Sequence, residues 1–116
     1  MSLRSLEEVR DRLRAFAAAR DWEQFHSPKN LAMALIAEAG ELVELFQWLT
    51  EEQSRALTPA QREAVAQEMA DVLLYLVRLA DRVDVDLLAA AARKIEINEQ
   101  KYPADTVRGS ADKRRT

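Results

Sequence analysis

A chain of 116 residues is one domain's length, with room for a modest core. Its 48% hydrophobic and 32% charged residues, with two glycines and three prolines, describe a helical globular protein; the lack of cysteine excludes disulfides, zinc thiolates and thiol catalysis and fits a reducing, cytoplasmic setting. The net charge of −3 argues against holding a nucleic-acid polymer by its phosphates; no apolar run approaches the roughly 20 residues that span a bilayer, and MSLRSLEEVR lacks a signal peptide's apolar stretch.

Ser5-Leu6-Glu7-Glu8 has the spacing of a capping box and opens a first helix reaching about Arg20. The polar segment RDWEQFHSPKN reads as a loop. Ser27 before Pro28 is an N-cap followed by proline at the first helical position, and a long helix is expected from there to about Leu49. TEEQSRALTP is a connector with room for one helical turn. Thr58-Pro59 repeats the cap-then-proline signal and starts a third long helix to about Arg82. VDVD breaks the period, and Asp84 or Asp86 can cap a fourth helix that ends before Pro103. Four helices imply an all-α four-helix bundle spanning residues 1–104. The remainder, 105–116, has little to bury and is expected to be disordered, its Arg108, Lys113, Arg114 and Arg115 solvated.

Projected at about 100° per residue, Leu31, Leu35, Leu42, Leu45, Phe46 and Leu49 of the second helix share one apolar arc. Glu38 falls inside that arc, Glu41 at its edge on the side of Trp48, and Glu44 on the solvent side. A buried, unpaired carboxylate costs several kcal/mol, so Glu38 needs a cation, either an arginine or lysine from another helix or a metal ion. On the third helix Val65, Met69, Val72, Leu73, Leu76 and Val83 form the main apolar face, with Glu68, Asp71 and Tyr75 on a neighbouring strip. The run VLLYLV is apolar nearly all round, which implies cover on more than one side and hence contact with another copy.

Two acidic pairs at i, i+3 can face each other across the roughly 8–10 Å between packed helices, where their repulsion calls for divalent cations. Oxygen ligands alone suit hard cations, Mg²⁺ or Mn²⁺. A ferritin-like di-iron site would require histidine on two helices, whereas the single histidine, His26, lies in a loop.

The blocks EAGE (Glu38 to Glu41) and EMAD (Glu68 to Asp71) resemble the E-x-x-E … E-x-x-D signature of the all-α MazG-like nucleotide pyrophosphohydrolases. RDWEQFHSPKNL, GELVELFQW, ADVLLYLVRLAD and KIEINEQKYPAD look like the dCTP pyrophosphatase branch of that family, so the resemblance runs from about Leu6 to Asp105. It implies a homotetramer that uses Mg²⁺ to hydrolyse a nucleoside triphosphate, dCTP or a modified dCTP, to monophosphate and pyrophosphate. It also implies that Glu38, Glu41, Glu68 and Asp71 are the metal ligands and catalytic acids, with one of them acting on the attacking water, and that Trp22 and Trp48 sandwich the base. His26 is a further base or sugar contact and Asn30 a structural residue. Tyr75, one turn after Asp71, can donate its hydroxyl to a phosphate oxygen, and Lys94, Asn98 and Lys101 can present one face of the fourth helix to the triphosphate. Two other readings stand beside this one: a pyrophosphohydrolase for another nucleotide such as dUTP, and a helical oligomerisation module whose acids are salt-bridged to Arg78, Arg82 or Arg93.

Overall fold

The computed structural model of the chain describes residues 2–112. Among them there is no strand. There are six α-helices: α1 (Leu6–Ala19), α2 (Pro28–Glu44), α3 (Glu51–Ser54), α4 (Pro59–Arg82), α5 (Leu87–Lys101) and α6 (Ala104–Val107), with a 3₁₀ turn at Glu23–Phe25. The all-α class is as expected, but the count of four helices is corrected to six. Four are long, and α3 and α6 are single turns of four residues. All of α6 but its first residue, Ala104, falls in the segment expected to lack structure, and Lys113, Arg114 and Arg115 lie outside the described residues.

The helix starts follow side-chain chemistry. Ser5 accepts a hydrogen bond from the Glu8 amide at 3.1 Å, but the Glu8 carboxylate takes the Arg4 amide rather than that of Ser5, so the box is only half closed. Ser27 caps α2 by accepting from the Asn30 amide. Thr50 with Gln53, and Thr58 with Gln61, form fully reciprocal boxes at the starts of α3 and α4. Asp86, not Asp84, caps α5. Asp84 instead adopts a left-handed backbone (φ 59°) just past α4, a conformation that aspartate tolerates better than most residues.

The second helix ends at Glu44, one turn earlier than the expected Leu49. From there the chain tightens into turns, with Leu45 donating to Leu42 O, Phe46 to Val43 O and Leu49 to Phe46 O. Thr50 must be extended (φ −74°, ψ 165°) to cap α3, so the helix has to be left before it. Leu45, Phe46 and Leu49 remain half-buried, which is why their spacing reads as helix although the hydrogen bonding has changed.

The chain divides into two compact units, one ending at Asp84 and the other starting at Val85. In the first, α2 packs along α4 and α1 packs on α4. The buried apolar residues are Val9, Ala17, Leu31, Val77 and Ala80, and the charged Arg78 is buried with them at 5% exposure. Arg14 ties α1 to α4 by donating Nε and Nη2 to the two oxygens of Asp81, a bidentate pair. Large apolar side chains stay exposed on two stripes, Met33, Ile36 and Val43 of α2 and Met69, Leu73 and Leu76 of α4. In the second unit α5 runs to Lys101 and leaves Leu88, Ile95 and Ile97 exposed.

Candidate functional site

The arc of α2 that carries Leu31, Leu35 and Leu42 is turned inward, and Glu38 is half-buried within it. Opposite, α4 contributes Glu68 and Asp71, also half-buried. Glu41 is exposed at the rim and Glu44 is exposed as well. Glu38, Glu41 and Glu68 each offer a carboxylate oxygen, all lying within 4.8 Å of one another, a group able to hold a metal ion. Asp71 is outside that triad but close enough for its charge to act on both Glu38 and Glu68.

Burial and mutual repulsion among the carboxylates set the electrostatics of the cluster. Glu38 is pushed up from 4.5 to about 7, first by desolvation, then by its contact with Glu41, the charges of Glu41 and Asp71, and its contact with Glu68. Glu68 is also pushed up, chiefly by desolvation and the charge of Glu41, while its contact with Glu38 pulls the other way. The Oε2 atoms of Glu38 and Glu68 are buried with no hydrogen-bond partner. Among the described residues none of the four acids forms a salt bridge. Arg78 pairs with Asp81 and His26, and Arg82 donates to the His26 carbonyl. Two orphaned oxygens in an all-oxygen donor set fit a hard divalent cation.

Beside the cluster is a cavity of about 260 Å³, bordered by Phe16 of α1, by Trp22 and His26, and by Asp71, Tyr75 and Arg78 of α4. Asp71 joins the two features, lining the cavity while acting on the acids. The position of Trp22 follows from how α1 ends. Asp21 takes a left-handed conformation (φ 55°), its amide donates to Ala18 O, and the Trp22 amide donates to Ala17 O at 2.9 Å. This is a Schellman ending with aspartate where glycine is usual, and its accompanying apolar contact is Trp22 on Phe16, ring centroids 5.6 Å apart at 70°. The ring of Trp22 meets that of His26 edge-on at 6.4 Å. Asn30 is structural, its side chain donating to Phe25 O and its amide to Ser27 Oγ.

The predicted site residues thus fall into three groups. Glu38, Glu41, Glu68 and Asp71 come together, and Trp22, His26 and Tyr75 line the cavity next to them. Trp48 lies beyond the end of α2, does not line the cavity and is 86% exposed. Lys94, Asn98 and Lys101 share one face of α5, in the second unit. Sequence reasoning missed Arg78 as part of the site, treating it only as a possible partner for the acids. The available signal was a lone arginine in the apolar run LLYLVRLA, seven residues after Asp71 and so on its face of the helix.

A model of the MazG-like family matches residues 34–114. The chain is 51% identical over 111 residues to dCTP pyrophosphatase 1 of Mus musculus and 49% identical over the same length to that of Homo sapiens. Each alignment takes in 94% of this chain, but the chain spans only 65% of the length of those relatives. Among solved structures, a pyrophosphatase from Archaeoglobus fulgidus superposes with a TM-score of 0.81 at 38% identity, covering 89% of this chain and 96% of that one. Among the described residues no helix is long and apolar enough to cross a membrane.

Proposed function

We infer, because the chain belongs to the MazG-like family, that it hydrolyses a nucleoside triphosphate to the monophosphate and pyrophosphate, with dCTP or a modified dCTP as substrate. The observation that carries this reading is the pair of orphaned, buried oxygens on Glu38 and Glu68 beside a cavity that Asp71 shares. The oligomerisation-module reading needs those acids neutralised by arginine, and among the described residues they are not.

Glu38, Glu41 and Glu68, with Asp71 beside them, would hold Mg²⁺, Mn²⁺ being the alternative. When bound, that cation supplies positive charge against the phosphate oxygens. The cavity of about 260 Å³ is smaller than the roughly 300–1,000 Å³ of drug-sized sites, so it takes the base end while the phosphates extend along the acids. Trp22, braced by Phe16, offers the base an aromatic face. Tyr75 and Asp71, which both line the cavity, are assigned to the passage from the base to the phosphates. Anchoring the base fixes which phosphorus meets the acids, and that is the α-phosphorus. A carboxylate of the cluster takes the proton of the attacking water, the new bond forms at the α-phosphorus, and the α–β bridging bond breaks to release pyrophosphate.

Assembly belongs to the same proposal. The exposed stripes on α2 and α4 support a homo-oligomer, a tetramer by analogy with the family, and Trp48, solvated in the single chain, completes the base clamp there. The test incubates the full chain with a panel of nucleoside triphosphates, dCTP, 5-substituted dCTP and dUTP among them, with and without Mg²⁺ in ¹⁸O-water. Label in the monophosphate is expected. Release of orthophosphate, or label only in pyrophosphate, would overturn the mechanism.

A further inference from the structure

Arg78 is the one buried charged residue among those described, and its hydrogen bonds are unusual. Its Nε donates to Nδ1 of His26 at 3.1 Å, Nη1 reaches Asp81 at 3.5 Å, and Nη2 is buried without a partner. Asp81 is already engaged by the closer bidentate grip of Arg14, so Arg78 is not held there to complete a strong ion pair. A guanidinium is always a donor. The ring nitrogen facing it must therefore be a bare lone pair, and in a neutral imidazole the proton must sit on the other nitrogen. Arg82 fixes the same residue from a second point, donating Nε to the His26 carbonyl at 3.1 Å.

We propose that Arg78 is a positioning residue that locks His26 in its Nε2–H form, so that this ring presents the cavity with a hydrogen-bond donor and selects a ligand carrying an acceptor, such as a base carbonyl or a sugar oxygen. The ring lines the cavity beside Trp22 and Tyr75, and with Nδ1 held by Arg78, Nε2 is the polar atom it can offer. The groups bearing on His26 are Arg78 and Arg82 from α4 and Glu23 from the 3₁₀ turn, and burial first, then the two arginines, holds it below its usual 6.5 against the opposing Glu23. A neutral ring over the working range is what a fixed donor requires. The ligand assignment rests on the nucleotide-hydrolase reading, whereas the tautomer lock does not.

Because His26 is the chain's only histidine, its ring can be read without assignment ambiguity. The full chain labelled with ¹⁵N-histidine is examined by two-bond ¹H–¹⁵N correlation across pH, without nucleotide or metal. The wild type should show a neutral ring protonated at Nε2 and titrating below 6.5. In Arg78→Met the proton should distribute over both nitrogens and the titration should move up toward 6.5. With dCTP and Mg²⁺, Arg78→Met should raise KM about 3- to 10-fold, the loss of one well-placed hydrogen bond, with kcat within about twofold. A wild-type ring protonated at Nδ1, or a ring spectrum unchanged in the variant, overturns the lock. If Arg78→Met does not fold, the wild-type spectrum alone decides. Should the lock hold but dCTP not be hydrolysed, the enzyme reading fails and the lock stands.

Discussion

Glu38 on α2 and Glu68 on α4 face each other with one carboxylate oxygen apiece buried and unpartnered, and with Glu41 they offer oxygens within 4.8 Å of one another. Such an arrangement works against the fold wherever all its members are ionised, and that has a measurable signature. Below pH 4.5 Glu38 is protonated in both folded and unfolded chains; between 4.5 and about 7 the unfolded chain releases the proton and the folded one retains it, so stability is lost as pH rises through that window. The melting temperature of the metal-free protein should fall from pH 4.5 to 7 relative to Glu38→Gln, and Mg²⁺ should restore the wild type far more than the variant. Parallel curves for the two proteins would rule this out.

Glu41 sits at the exposed rim of the cluster, so its loss should not disturb packing. Glu41→Gln should keep the helical circular-dichroism spectrum of the wild type while kcat/KM for the hydrolysed nucleotide drops by on the order of 100-fold or more. Full activity in this variant would remove Glu41 from the site.

Stacking is felt in ground state and transition state alike, so it acts on KM more than on kcat. Trp22→Ala should raise KM about 10- to 100-fold, the equivalent of roughly 1–3 kcal/mol of stacking, with a smaller change in kcat. Trp48→Ala should behave in the same way only if assembly brings that exposed ring to the base, so initial rates compared above and below the concentration at which sedimentation shows dissociation will separate the two tryptophans.

The left-handed Asp21 is the hinge on which Trp22 is placed. Asp21→Gly should preserve the turn and raise stability by about 1 kcal/mol, because glycine adopts φ > 0 without strain. Asp21→Val should lower stability by about 1–2 kcal/mol and raise KM as well, because a β-branched residue resists that conformation and Trp22 loses its seat. Thermal melts with KM measured in parallel would check the pair; a KM unmoved by Asp21→Val would show that the turn does not seat the base.

The acidic cluster was legible in the sequence because it violates a pattern. Glu38 interrupts an apolar arc, and such an interruption is visible from spacing alone. The starts of α2 and α4 were equally legible, since Ser27-Pro28 and Thr58-Pro59 write the cap into adjacent residues. The end of α2 was not, because Leu45, Phe46 and Leu49 keep a helical spacing through turns that are no longer helix. The role of Arg78 was hidden for a related reason. Its partner His26 is 52 residues away, and only tertiary packing brings the two together.

The connector between α2 and α4 has a practical consequence. The α3 and α4 starts are closed by their own hydrogen bonds, Thr50 with Gln53 and Thr58 with Gln61, and α2 is terminated by turn bonds among residues 42–49. Most side chains between Thr50 and Thr58 are exposed. The covalent path there carries little of the tertiary structure, so the loop can be opened or lengthened with little thermodynamic effect. It is therefore a natural point for an inserted affinity tag or fluorescent reporter, in a segment that does not line the cavity.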